Sequence, residues 1–181
     1  MYSAARQQPP RADVNYLQRI FARVDKDRSG RIDAVELQNA LSNGTWKPFN
    51  PETVRMMMNI FDRSRTGTIG FDDFVSLWNY INDWLRCFQD FDKDRSGFID
   101  RNELRDSLNS FGYRLSEQTL NTMFAKYDKD RKGSINFDDY ILCCVSLQTL
   151  TNAFQAYDTD RDGWINISYE DFLRLALSVM P

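Results

Sequence analysis

The sequence predicts an all-α protein with eight helices arranged around five short loops that share one pattern. Three observations support this fold class: a repeated 12-residue motif, a regular spacing between its copies, and helical periodicity in the segments that join them. Each copy opens with Asp, has Gly at its sixth position and Ile at its eighth. The opening residues are Asp25, Asp62, Asp92, Asp128 and Asp158. Five copies in register within 181 residues exclude a chance match.

The repeated motif is the calcium loop of a helix–loop–helix hand, in which oxygens at positions 1, 3, 5, 7, 9 and 12 surround a hard cation. The Ile at position 8 pairs its backbone with a second loop and places its side chain in the core. We therefore expect loop one to pair with loop two and loop three with loop four. Loop five has no partner within the chain. The isoleucines are Ile32, Ile69, Ile99, Ile135 and Ile165.

The spacing of the loops predicts where the helices lie. Successive loops begin 37, 30, 36 and 30 residues apart, which leaves 25, 18, 24 and 18 residues between them. Eighteen residues fit one helix of about 27 Å, whereas 24 or 25 fit two shorter helices and a turn. In the long gaps, Asn50-Pro51-Glu52 has the residues of a helix start, and Gly112 ends one helix before Ser116 begins another. Hands two and three therefore share a helix, as do hands four and five, and one helix lies at each end.

Composition narrows the class of protein. The chain is 42% hydrophobic with a net charge of −3, which predicts a folded globular protein and gives no reason to expect nucleic acid as a partner. Histidine is absent, which removes the usual general base and most zinc sites, so we do not expect an enzyme. Residues 1–12 lack periodicity and are expected to be a flexible tail before a domain at 13–181.

Cysteine content and hydropathy predict where the protein resides. Cys87, Cys143 and Cys144 are odd in number and two are adjacent, which favours buried thiols in a reducing compartment over disulfides. The N-terminus lacks an apolar signal core, and no stretch approaches the ~20 apolar residues of a membrane span. We therefore expect a soluble cytoplasmic protein that associates with membranes only indirectly or in a calcium-dependent way.

Loops one (25–36) and three (92–103) are predicted to be the principal calcium sites. Each offers four carboxylates and ends in Glu, whose length allows bidentate ligation. The ligands predicted for loop one are Asp25, Asp27, Ser29, the carbonyl of Arg31, Asp33 and Glu36. Those for loop three are Asp92, Asp94, Ser96, the carbonyl of Phe98, Asp100 and Glu103. Sensor loops of this kind have affinities on the order of 0.1–10 µM.

The other three loops depart from the pattern. Loop five (158–171) has Tyr169 at position 12 and acids one and two residues later, which indicates a two-residue insertion and weak binding. Its predicted ligands are Asp158, Asp160, Asp162 and the carbonyl of Trp164. Loop four (128–139) has Lys132 at position 5 and the shorter Asp139 at position 12, which favours Mg²⁺ over Ca²⁺. Loop two (62–73) keeps two carboxylates. Loops two and four are therefore expected to serve as structural supports without tight calcium binding.

The five hands, their shared helices and the unusual fifth loop resemble the penta-EF-hand family over residues 14–181. The segments 41–49, 110–116 and 158–165 add to the resemblance. It implies a homodimer, or a heterodimer with a relative, formed through the fifth hands. It also implies a calcium-dependent adaptor for Pro- and Tyr-rich segments of proteins in vesicle trafficking, endosomal sorting, membrane repair and cell-death pathways. The expected locations are the cytoplasm, the nucleus, and endosomal, ER or plasma membranes after calcium-dependent recruitment.

The resemblance also assigns two surfaces. The family's peptide pocket corresponds here to Trp78, Ile81, Trp84, Phe111 and Tyr169, with Arg114 as the residue whose movement opens it. For Trp78 and Trp84, plain core packing is the alternative. The dimer surface is expected to contain Ile165, Phe172, Leu173, Leu175 and Leu177, followed by Val179 and Met180.

Two other functions fit the same loops. Regulatory subunits of calpain-like proteases are also built from five hands that pair through the fifth, although the segment Thr45-Trp46-Lys47-Pro48-Phe49 favours the adaptor branch. A cytosolic calcium buffer is the other alternative. A buffer would bind the ion without exposing apolar surface, which a hydrophobic dye can test.

Overall fold

The computed structural model describes residues 13–41 and 47–179. The tail expected at 1–12 lies outside these ranges, as do residues 42–46 of the family-like segment and Met180. Within the described residues, no helix is both long and apolar enough to cross a membrane.

The described residues form eight helices, in agreement with the predicted all-α class. Their bounds are α1 (Val14–Val24), α2 (Ala34–Ala40), α3 (Pro51–Phe61), α4 (Phe71–Phe91), α5 (Arg101–Ser110), α6 (Glu117–Tyr127), α7 (Phe137–Gln155) and α8 (Tyr169–Val179). Helix α4 runs from loop two to loop three, and α7 runs from loop four to loop five. The two shared helices predicted from the 18-residue gaps are therefore confirmed.

Local side chains fix the helix starts inside the long gaps. The Asn50 side chain accepts a hydrogen bond from the amide of Glu52, and Pro51 occupies the first turn of α3. The hydroxyl of Ser116 accepts from the amide of Thr119 at the start of α6. These are the two starts that the sequence predicted.

Two short antiparallel ribbons join the loops in pairs. Strand β1 (Ile32–Asp33) pairs with β2 (Thr68–Ile69), so that Ile32 lies opposite Ile69. Strand β3 (Ile99–Asp100) pairs with β4 (Ser134–Ile135) in the same register. The predicted pairing of loop one with two and of loop three with four is confirmed. The four isoleucines of these ribbons are fully buried, whereas Ile165 of loop five is only half-buried and lies in no strand of the described residues.

One continuous apolar core extends through both pairs of hands. Tyr140 of α7 is fully buried at its centre, and its ring contacts the rings of Trp84 and Phe88 on α4. Helix α7 therefore links the two pairs of hands.

Burial raises the pKa of the Cys143 thiol to about 12, so that this thiol stays neutral, as expected of a buried small side chain.

Candidate metal centres

All five loops make the same backbone turn. In each, the carboxylate at position 1 accepts a hydrogen bond from the amide of the glycine at position 6. The donor–acceptor distances are 2.9 Å for Gly30–Asp25, 2.6 Å for Gly67–Asp62, 2.9 Å for Gly97–Asp92, 2.8 Å for Gly133–Asp128 and 3.2 Å for Gly163–Asp158. The glycine φ angles lie between 75° and 86°, a region that L side chains rarely adopt. The turn is therefore set by local chemistry in loops with and without a full ligand set.

In loop one the structure brings together the carboxylates of Asp25, Asp27 and Glu36, with one oxygen of each within 4.8 Å of the others. Hydrogen bonds from Ser29 hold the pKa of Asp27 below its usual range, so this carboxylate stays ionised. The Ser29 hydroxyl donates to the carbonyl of Arg31 at 2.9 Å, which places the position-7 oxygen beside the same group. A set of hard oxygens with this charge fits Ca²⁺.

Loop three repeats this arrangement with Asp92, Asp94 and Glu103. Hydrogen bonds from Ser96 lower the pKa of Asp94 in the same way. Glu103 is buried, and one of its oxygens accepts from the amide of Lys93 at 2.8 Å, across the loop.

The predicted position-9 ligands, Asp33 and Asp100, have a different immediate role. Each caps the helix that follows, because its side chain accepts from the amide of Glu36 or Glu103, respectively. Each Glu in turn accepts from the amide of its capping Asp, which completes a capping box. The structure therefore places Asp33 and Asp100 beside the three-carboxylate groups and not within them.

Loop five gathers Asp158, Asp160 and Asp162 into a third carboxylate group but has no Glu to close it. Helix α8 begins at Tyr169, position 12 of this loop, whereas the helix begins at position 10 after each of the other loops. Asp171, one of the two acids that follow position 12, lies in the first turn of α8. Its carboxylate accepts a hydrogen bond from the Ser168 hydroxyl at 2.7 Å and pairs with Arg174 at 2.8 Å. The predicted ligand residue Trp164 has 81% of its surface exposed.

In loop four the chain's own ammonium groups contact the carboxylates. Lys132 donates to Asp130 at 2.9 Å and lowers the pKa of that carboxyl. Lys129 lies 3.4 Å from Asp139, the position-12 residue, which also accepts from the side chain of Asn50 at 2.7 Å. These contacts leave loop four poorly suited to Ca²⁺. In loop two, Asp73 at position 12 pairs with Arg63 at 3.6 Å.

The peptide-pocket residues fall into two groups. Trp84 packs edge-on against Phe111, with 6.2 Å between the ring centroids. Trp78 and Ile81 line a separate apolar cavity of about 50 Å³ between α1, α2 and α4. Tyr169 is 75% exposed at the start of α8, and no ring contact joins it to either group within the described residues.

Arg114, the residue expected to open the pocket, is exposed. It lies with Arg105 and Ser116 along an open depression that follows α5.

The expected dimer surface contains several exposed apolar side chains. Phe172, Leu173 and Leu177 are 54%, 38% and 67% exposed, and Leu175 is half-buried. None of the described side chains of α8 is buried, in contrast to the other seven helices.

Comparison with known proteins agrees with this architecture. A family model described as an EF-hand domain pair matches residues 14–78 and 81–142, and an EF-hand model matches residues 151–176. The sorcin of Schistosoma japonicum is 49% identical over 93% of this chain and 98% of its own length. The peflin of Xenopus laevis is 41% identical over 86% of this chain and 55% of its own. A solved homolog of programmed cell death 6 protein from Leishmania major Friedlin superposes with a TM-score of 0.79 at 34% identity, covering 91% of this chain and 94% of that chain.

Paired helix–loop–helix hands with oxygen-rich carboxylate groups define an EF-hand calcium-binding protein. With five such hands, and with relatives that cover nearly its whole length, the chain belongs to the penta-EF-hand family. Within the family, segments 41–49, 110–116 and 158–165 predict a likeness to programmed cell death protein 6, with peflin as the runner-up, and a homolog of the first and a peflin are among the matches above. Members of this family form dimers.

Proposed function

We propose that this calcium-binding chain is an adaptor, which opens an aromatic pocket when calcium is bound and then grips Pro- and Tyr-rich segments of partner proteins. The observation that carries the proposal is the contact between Trp84 of α4 and Phe111 at the end of α5. Helix α5 therefore joins the two features: it begins within loop three, a predicted calcium loop, and it ends at Phe111, one wall of the pocket.

The geometry of α5 explains how calcium binding at its first turn changes the aromatic contact at its last turn. The Glu103 carboxylate would hold Ca²⁺ together with Asp92 and Asp94, and the ion would supply the positive charge that draws this carboxylate toward the loop. Glu103 lies in the first turn of α5 and Phe111 caps its last turn, about 12 Å away at 1.5 Å per residue. A change in the tilt of α5 at its first turn therefore displaces Phe111 from Trp84, whose ring is also held by Tyr140.

The walls of the pocket suit an extended apolar segment. Trp78, Ile81 and Trp84 follow one another at three-residue intervals along α4 and so lie on neighbouring parts of one face. Aromatic-lined grooves bind Pro-rich segments because such segments are already extended and lose little entropy on binding. The cavity of about 50 Å³ beside Trp78 and Ile81 is far smaller than a ligand pocket and is separate from the Trp84–Phe111 contact, so that a segment bound across both groups requires the helices to separate.

The adaptor proposal includes a dimer, the homodimer or a heterodimer with a relative, formed through the fifth hands. Its support is the half-buried Ile165 and the exposed apolar residues of α8. We further propose that the protein acts in the cytoplasm and the nucleus, is recruited to endosomal, ER or plasma membranes through its partners when calcium rises, and serves trafficking, repair or cell-death pathways without catalysing a reaction itself.

A peptide-binding experiment tests the adaptor function. A fluorescent Pro/Tyr-rich peptide is titrated with full-length protein in calcium, in magnesium and in chelator. We expect binding in calcium alone, together with brightening of a hydrophobic dye. Phe111→Ala is expected to weaken peptide binding by at least tenfold, because it removes one wall of the pocket.

The matched control is Leu85→Ala, which shortens an exposed side chain beside Trp84 on the same helix. Its peptide affinity should be unchanged. Equal peptide binding in calcium and chelator would contradict the adaptor proposal. Calcium binding with neither a dye response nor peptide binding would instead identify a buffer.

A further inference from the structure

The Arg31 side chain leaves loop one and enters loop two. Its Nη2 donates to the Ser64 hydroxyl at 3.1 Å, to the Thr66 hydroxyl at 3.1 Å and to the Thr68 carbonyl at 2.8 Å. Its Nε donates to the Thr68 hydroxyl at 2.6 Å. These acceptors belong to positions 3, 5 and 7 of loop two, which are positions that supply oxygens to a metal in a calcium loop.

The rest of loop two is also arranged around this guanidinium. At position 9, Gly70 lies beside the guanidinium, since a Cβ added to this glycine would make an ordinary van der Waals contact of 3.7 Å with Nη1 of Arg31. At position 1, desolvation raises the pKa of Asp62, but amide hydrogen bonds from Thr66 and Gly67, the Ser64 hydroxyl and the Arg31 charge together lower it. Loop two therefore surrounds a cation that the protein itself supplies.

The backbone of the same residue serves loop one. The carbonyl of Arg31 is the position-7 oxygen of loop one and accepts from the Ser29 hydroxyl at 2.9 Å. The next residue, Ile32, pairs with Ile69 of loop two in the ribbon. One residue thus contributes its main chain to one loop and its side chain to the other.

We propose that Arg31 is the resident cation of loop two and the positioning residue for the calcium site of loop one. Hydrogen bonds from Nε and Nη2 to loop two hold the side chain, with the two Nη2 hydrogens shared among three acceptors, and through the side chain they hold the carbonyl that loop one needs. A guanidinium in this place also repels a divalent ion from loop two. Arg31 therefore acts together with the shortage of carboxylates in loop two to favour calcium binding at loop one.

In the second pair of loops, the weaker loop also contains a cation of the protein, but the cation has a different source. Phe98 stands at position 7 of loop three, where Arg31 stands in loop one, and carries no charge. Loop four instead has a lysine of its own, Lys132, bonded to Asp130. The cation comes from the neighbouring loop in the first pair and from the same loop in the second.

Calcium titration of full-length variants tests the positioning role. A Glu103→Gln background weakens loop three, so that loop one gives the remaining tight isotherm. We expect Arg31→Gln to lower the calcium affinity of loop one by about three- to tenfold relative to Arg28→Gln. Arg28 is the matched control, because its exposed side chain lies in the same loop and the substitution removes the same charge. Equal or higher affinity in Arg31→Gln would overturn the proposal.

A second variant changes a residue of loop two and leaves the sequence of loop one unaltered. Thr68→Val keeps the β-branched shape but removes the acceptor of Arg31 Nε. We expect it to weaken calcium binding at loop one when Arg31 is present and to have no further effect in Arg31→Gln. The same loss in both backgrounds would show that Thr68 acts independently of Arg31, against the proposal.

A calcium-free measurement gives an independent result. In nuclear magnetic resonance spectra of chelated wild-type protein, the Arg31 Nε–H signal should exchange with solvent at least tenfold more slowly than that of exposed Arg28. In the Thr68→Val protein this protection should fall. Exchange of the two wild-type signals at the same rate would mean that the guanidinium is not held in loop two, and the proposal would fail.

Discussion

At the scale of single residues, the closing glutamates of loops one and three have two roles. Each is a predicted calcium ligand, and each already bonds to the backbone in the structure. Glu103 accepts from the amide of Asp100 at 2.9 Å, which starts α5, and from the amide of Lys93 at the opposite side of the loop. Mutation of these residues therefore affects both the helix start and the ion site, and the choice of substitution matters.

The first prediction separates the two roles. Glu103→Gln keeps an acceptor for the helix start, because Gln also completes a capping box, but it removes the charge and bidentate ligation. We expect calorimetry to show one tight calcium site fewer, with the calcium-free melting temperature nearly unchanged. Glu103→Ala should lose the same site and also about 1 kcal/mol of unfolding free energy, because the capping interaction is gone.

Asp106→Asn is the control, since it neutralises a carboxylate of α5 that pairs with Lys93 outside the ion site. It should keep the full calcium stoichiometry. Full stoichiometry in both Glu103 variants, in contrast, would sink the assignment of loop three as a principal site.

At the scale of elements, the start of α3 is attached to α7. The Asn50 amide donates to the Asp138 carboxylate at 2.6 Å, and the Thr53 hydroxyl donates to the Asp138 carbonyl at 3.1 Å. Asp138 is 2% exposed, although it is an acidic residue at the end of loop four. A carboxylate at a helix N-terminus is favoured by the helix dipole, so this contact stabilises α3 as well as its packing.

The second prediction concerns this attachment. Asp138→Ala removes the side-chain acceptor and leaves the half-buried Asn50 amide without that bond, so we expect a loss of about 1–3 kcal/mol in urea unfolding. Asp72→Ala is the matched control, because Asp72 occupies the equivalent position of α4 and is exposed. Its loss should stay below about 1 kcal/mol. Equal losses in the two proteins would show that the α3–α7 contact contributes nothing.

At the scale of the whole molecule, hand five is unlike the others. The four paired hands bury the isoleucine of each loop, whereas Ile165 is half-buried and α8 leaves Phe172 and Leu177 largely exposed. A two-fold axis through this hand would give each copy the strand partner and apolar cover that its own chain does not provide. Because that contact would be apolar, it should persist in high salt and in chelator.

The third prediction tests this dimer. Phe172→Glu or Leu177→Glu should convert the protein to a monomer at micromolar concentration in light scattering, because each buries a charge in the proposed interface. Ser178→Glu adds the same charge at a polar, exposed position of α8 and should leave the dimer intact. A monodisperse wild-type monomer would refute pairing through hand five. Truncation before Asp158 should give aggregates or a poorly folded monomer.

The sequence by itself determined the five loops, the eight helices and the pairing of the first four hands. These features depend on local rules: oxygen-bearing residues at fixed loop positions, glycine at a left-handed turn, and apolar residues at helical spacing. The late start of α8 follows from the same rules, since Phe172 comes two positions later in loop five than its counterparts do in the other loops.

Only the tertiary structure decided how charges and rings meet across the chain. Arg31 reaches residues 33 to 37 positions away, and Asp138 meets Asn50 across 88 positions. No local pattern marks these partners, because a long side chain finds its acceptor only after the loops have paired and the helices have packed. The same packing put Trp84 against Phe111 but Trp78 and Ile81 in another cavity. Spacing along α4 places Trp78, Ile81 and Trp84 on neighbouring parts of one face. The side chains that each of them contacts are set by the helices packed against that face.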